Sequence, residues 1–242
     1  MGKVWLPFLC VLFPQVTLAV INHGKLVLAP LYTAAAGLPP ETVGIIGGLS
    51  GLGSVWLFSA NKVILPSFGP ILALIFGCFL APIGAMLLLF QQPTLIFIAA
   101  IVMGFGYAIT APAGSEILAK YTPKKLWGTL FSLRMAGVPV GGAVAGIIGA
   151  SVASRYSWKA AVIVIVFPAL ITGIFLITMQ SKFNGSKFRV NFQLLNLFNP
   201  LNLLSPFRVL KKIPGLPLIT FVSIGYASIQ GGVFTFLTTY LV

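Results

Sequence analysis

Seven apolar stretches, each long enough to cross a bilayer as a helix and parted mostly by short polar breaks, constrain this chain more than any other feature. Inside a bilayer no water is present to satisfy backbone N–H and C=O groups, so a chain of this pattern must satisfy them within helices. The stretches run over 4–33, 42–60, 69–90, 94–119, 126–152, 158–179 and 216–242. Only 7% of the residues are charged and 58% are hydrophobic, and most of the charges fall between the apolar runs. The expected fold is therefore all-α and integral to the membrane, with no soluble domain. The one longer break, 180–215, is too short to fold as a separate unit.

A formal net charge of +13 would point to nucleic acid in a soluble protein. Here the charges sort by side instead, as the positive-inside rule requires. With the N-terminus in the cytoplasm, the inner side collects Lys3, Lys62, Lys120, Lys124, Lys125, Lys182, Lys187, Arg189, Arg208, Lys211 and Lys212. The outer side holds only Arg155 and Lys159. In a bacterium this is an inner-membrane protein, its partners the lipid bilayer and a small solute, with no nucleic acid.

Lys3 followed by an apolar run has the look of a signal peptide, but the run continues past Asn22 to Ala36, so the first helix is expected to stay. Cys10 and Cys78 lie in apolar helices and read as small packing residues, not as a disulfide or metal pair. No cofactor is expected. Proline and glycine punctuate the helices, at Pro7, Pro14, Pro30, Pro112 and Pro139 and in the run from Gly44 to Gly53, where they permit bends and close crossings. The segment 180–215, with turns expected at Asn199-Pro200 and Ser205-Pro206, reads as a basic interfacial linker on the inner leaflet or as a plain tether.

The stretch from Gly104 to Ala161 carries the most specific pattern. It contains Pro112-Ala113, then Thr122-Pro123, then Arg134 followed by Gly137, Val138, Pro139, Gly141 and Gly142, and finally Ser157-Trp158-Lys159-Ala160-Ala161. This resembles helices four to six of a major facilitator superfamily transporter, and Leu28-Ala29-Pro30 and Phe68-Gly69-Pro70 extend the likeness upstream. The resemblance implies a six-helix N-terminal bundle over 1–179, a cytoplasmic linker over 180–215 and the first helix of a second half over 216–242. The remainder of a twelve-helix transporter is then expected as a missing C-terminal half, with the substrate site between the halves near the midplane. The loop between helices two and three departs from the family's charged Gly-x-x-x-Asp-Arg-x-Gly-Arg-Arg latch: LFSANKVILPSFGP keeps one of its charges at most.

Ionisable groups inside spans are costly, and each is a functional hypothesis. Gln15, Asn22 and Lys25 fall near one stripe of the first helix, the stripe expected to face the cavity. The competing reading of Lys25 is snorkelling toward the outer interface, about 12 Å of helix away at Thr33. His23 points roughly the other way and reads as a packed histidine, with proton carriage as the alternative. Arg134 is two turns inside the fifth helix, where the resembled branch has a basic residue. Its guanidinium would grip a carboxylate in a two-pronged contact, or else tie to Glu116 or to backbone carbonyls. Glu116, the one carboxylate inside a span, is expected either to approach Arg134 and carry protons or to pair with Lys120 one turn on.

The expected substrate-binding set is thus Arg134, Lys25, Asn22 and Gln15, with Glu116 for proton coupling, no catalytic residue and no metal. An intramembrane serine protease is the rival enzyme, since Gly48-Leu49-Ser50-Gly51 superficially matches Gly-x-Ser-Gly. It lacks a histidine on a later helix, which leaves Ser50 as part of a packing face. A channel would show a filter loop or charged rings, and neither is present. The expected function is secondary active transport of a small anionic or carboxylate-bearing metabolite by alternating access. The alternatives are a non-transporting seven-helix scaffold or regulatory subunit, or efflux of another solute class.

Overall fold

The computed structural model describes residues 2–183 and 213–241, and every regular element among them is helical. Among the described residues, seven helices are long and apolar enough to cross a membrane: Val4–Val27, Thr42–Phe68, Pro70–Phe90, Pro93–Tyr121, Lys124–Arg155, Trp158–Phe183 and Leu216–Val233. The protein is an integral, multi-pass membrane protein. Lys187, Arg189, Arg208, Lys211, Lys212 and the two expected turns of the linker lie outside the described residues.

The first span is the hub of the bundle. It packs on the fourth, fifth and sixth spans, while the third packs on the fourth and sixth and the second lies along the fourth. Without a hydrophobic driving force in lipid, such contacts depend on backbones coming close, and glycine allows this. A β-carbon at Gly53 would stand 2.7 Å from the Ile101 carbonyl oxygen, and one at Gly104 would meet the Ser50 carbonyl. Gly141 does the same for the first and fifth spans, where a β-carbon would sit 2.7 Å from Val16 O.

Several helices differ in extent or regularity from the sequence expectation. The second helix does not stop at Ala60: it runs to Phe68, so Asn61 and Lys62, expected near a loop, are helical. The connection to the third helix is a single residue, Gly69, at φ 77°, a left-handed conformation that glycine adopts without strain, and Pro70 follows as the first helical residue. The first helix breaks at Leu28 and resumes over Ala29–Ala35, because Pro30 has no N–H to donate to the preceding turn. The fifth span is not uniform either: Trp127–Val144 passes through a π-helical turn at Ala145–Gly149 before Ala150–Arg155. The sixth helix occupies Trp158–Met179 as expected, with the Ser157 hydroxyl accepting the Ala160 N–H at 3.1 Å as its N-cap.

The chain beyond Met179 starts by docking on the bundle. Phe183 is buried, its carbonyl accepts from the Tyr121 hydroxyl at 3.0 Å, and the two rings meet edge to face at 4.9 Å. Cys10 and Cys78 are fully buried and free, packing among apolar neighbours.

Candidate functional site

One cavity of about 730 Å³ opens between the first, second, fourth, fifth and seventh spans, a size suited to a small solute. Gln15, Asn22 and Lys25 all line it, so the polar stripe of the first helix does face a cavity. Arg134 enters from the fifth span and Gln230 from the seventh.

Arg134 is 2% exposed and is held by groups from two other spans. Its Nε and Nη2 both donate to Gln15 Oε1, each at 3.2 Å, and Nη1 donates to Ser115 Oγ at 3.0 Å. Nη2 also reaches the carbonyl oxygens of Thr110 and Ala111, at 3.3 and 3.1 Å. Local sequence explains why the fourth span can offer this cradle. The helix is interrupted at Ile109, between Pro93–Ala108 and Thr110–Tyr121, and Pro112 follows within the first turn of the second piece. Gly114 supplies the room, since a β-carbon there would stand 3.2 Å from Arg134 Nε. The two-pronged face expected to grip a carboxylate is thus occupied here by the Gln15 amide oxygen.

Lys25 is 3% exposed and does not snorkel. Its Nζ donates to Asn22 Oδ1 on the same helix and to Ser50 Oγ on the second. Ser50 is itself fixed in place: Gly104 of the fourth span lies against its carbonyl, and one turn on Ser54 Oγ donates to Gly104 O at 3.0 Å. The Tyr32 hydroxyl, on the short helix after the break, donates to the Lys25 carbonyl at 3.0 Å. Ser50 was legible in the sequence only as part of a small-residue packing face, and it is both that and a cavity residue.

Two expectations need correcting. Glu116 does not approach Arg134: it is exposed, outside the cavity, while its neighbour Ser115 takes the guanidinium. On a helix, adjacent residues point about 100° apart, so only one of the two can face the arginine. His23, expected on the face opposite the stripe, also borders the cavity, where its ring lies against Gly142 of the fifth span. The residues that sequence reasoning did not single out are Ser115, Thr110, Tyr107 and Gln230, all single polar groups in apolar helices with no spacing to mark them.

Among the described residues, every hydrogen-bond partner of Lys25 and Arg134 is neutral, and the chain has only two acidic side chains, Glu41 and Glu116, both exposed. The cavity is therefore basic without a carboxylate from its own walls.

A family model described as Major Facilitator Superfamily matches residues 16–242, which takes in every cavity residue except Gln15. No curated protein matches the chain.

Proposed function

The chain belongs to the major facilitator superfamily, and from that premise we propose that it moves a small anion or carboxylate-bearing metabolite across the membrane by alternating access. Membership accounts for membrane transport in general. The choice of an anion rests on one observation: two buried basic side chains, Lys25 and Arg134, line one cavity that contains no carboxylate. A buried cation left with neutral partners alone is costly in a span, and an entering anion offsets that cost as no neutral or cationic solute would.

Arg134 holds its place ready through Gln15. A carboxylate is a stronger acceptor than an amide oxygen, so it displaces Gln15 from Nε and Nη2 and takes the two-pronged contact. Asn22 and Ser50 then orient Lys25 toward the same solute. The exposed position of Glu116 gives no support to its proposed role in proton coupling, which stands or falls on a Glu116→Gln variant. With the N-terminus cytoplasmic, the remaining cavity wall falls to a second bundle, since the seventh span contributes Gln230 but buries little of itself.

The test is a thermal-shift screen of the purified protein with sodium nitrate, acetate, succinate and phosphate against choline and glucose, followed by uptake of whichever stabilises it. An anion should raise the unfolding temperature, and Arg134→Gln should remove both the shift and the uptake while inserting normally. Stabilisation and uptake of choline or glucose alone, undiminished in Arg134→Gln, would sink the anion reading.

A further inference from the structure

The hydrogen bonds of Lys25 are matched to an amine with two hydrogens. Among the described residues its nitrogen has two acceptors, Asn22 Oδ1 and Ser50 Oγ, and no third. An uncharged amine has two N–H bonds and one lone pair, whereas an ammonium has three N–H bonds and no lone pair. The wall therefore satisfies both N–H bonds of the neutral amine and offers the third N–H of an ammonium no acceptor among the described residues. Ser50, which accepts from Lys25, has no acceptor for its own O–H among the described residues, so a second donor is available at the same place.

Nothing else near Lys25 supplies a countercharge. Titratable groups bordering the cavity are His23 on the same helix, Tyr107 on the fourth span and Arg134 on the fifth. Tyr32 holds the Lys25 carbonyl, while the second and seventh spans bring the uncharged polar groups Ser50, Ser54, Ser59 and Gln230 to the cavity. The sixth span meets the first beside Lys25 with Ile165, against Gly24. Arg134 is a fixed charge that does not release its proton, and its bonds to Ser115 Oγ and to the Thr110 and Ala111 carbonyls hold it when the anion takes the place of Gln15.

We propose that Lys25 is the proton carrier of an anion–proton symport, taking up a proton as the anion enters and releasing it as the anion leaves. The step is Lys25–NH2 + H+ + A− giving Lys25–NH3+·A−, in which the new N–H bond points at the anion and both charges come from the same side of the membrane. Release on the other side is the reverse. The empty carrier returns with a neutral amine, which crosses between states without a bare ammonium in the span. This rests on the anion reading above and replaces the carboxylate expected to couple transport by a lysine.

The experiment is isothermal titration of the purified full chain with sodium nitrate, acetate and succinate near neutral pH, each in two buffers of different ionisation heat. The difference between buffers counts protons taken up per anion bound, and since these anions are already deprotonated the protons go to the protein. The expected result is an uptake approaching about one proton in the wild type, unchanged in His23→Gln and Glu116→Gln, and none in Lys25→Arg, which keeps the charge but cannot give it up. Binding without proton uptake in the wild type overturns the symport while leaving an anion carrier. Uptake lost in Glu116→Gln or His23→Gln, or kept in Lys25→Arg, moves the proton elsewhere and also overturns it. Failure of all three anions to bind overturns the anion reading itself. Should Lys25→Arg not fold, the wild-type count and the other two variants decide the matter alone.

Discussion

At the scale of single residues, Gln15 is the informative position because its amide oxygen sits where an anion would. It accepts from two nitrogens of Arg134 in the core of the bundle. Gln15→Leu removes the one acceptor of both bonds and leaves a buried guanidinium under-satisfied, which should cost about 1–3 kcal/mol in unfolding measured in detergent. Gln15→Glu should do the opposite, placing a carboxylate of the protein's own on Arg134 and adding about 1–2 kcal/mol through charge-assisted bonds. The same variant should lose anion-dependent stabilisation and uptake, because the binding position is then filled. A Gln15→Glu protein that is both more stable and fully active would show that the solute never uses that face of Arg134. Sequence made Gln15, Lys25 and Arg134 visible, since polar groups in apolar helices stand out. It could not reveal that Gln15 and Arg134, 119 residues apart, are partners, nor that Ser115 and not Glu116 meets the guanidinium, because both depend on how the helices are rotated against one another.

At the scale of helices, the second and fourth spans are locked by glycines, and their contact places Ser50. A β-carbon at Gly104 would run into the Ser50 carbonyl and α-carbon, so the two helices must separate to admit it. Gly104→Ala should therefore cost about 1–3 kcal/mol by overpacking, and should weaken anion binding as well, because Ser50 carries the acceptor of Lys25. Gly48→Ala is the matched control: a β-carbon there meets nothing within 4 Å, and alanine is the better helix former by about 1 kcal/mol. Thermal unfolding with and without the anion checks both, and equal effects from the two would remove the packing argument. The helices themselves were legible from the length of the apolar runs. Their irregularities were less so: the continuation of the second helix through Asn61 and Lys62 is invisible to a count of apolar residues, because an exposed lysine and an asparagine whose Nδ2 donates to Leu57 O, 3.0 Å away, interrupt the pattern without breaking the helix.

At the scale of the whole molecule, the fold class followed from the apolar runs alone, because lipid leaves a chain so few ways to satisfy its backbone. Which helices touch which did not, since in lipid all apolar faces look alike and only small residues mark the seams. What sequence and structure together expose is a charge gradient. Among the described residues, Lys120, Lys124, Lys125 and Lys182 stand at one end of the bundle with Lys62 in the last turns of the second helix, while Arg155 and Lys159 stand at the other. Lys120 lies over the Tyr121 ring and Lys124 near the Trp127 ring, an arrangement of cations and aromatics that suits a headgroup layer. Each lysine held at an anionic surface is worth about 1 kcal/mol, enough in sum to set orientation. In a background with Cys10 and Cys78 replaced by alanine, Ser157→Cys should react with a membrane-impermeant maleimide in intact cells, and Lys125→Cys only after permeabilisation. The reverse pattern would turn the protein over in the membrane, and the anion cavity would then have to be read with its two openings exchanged.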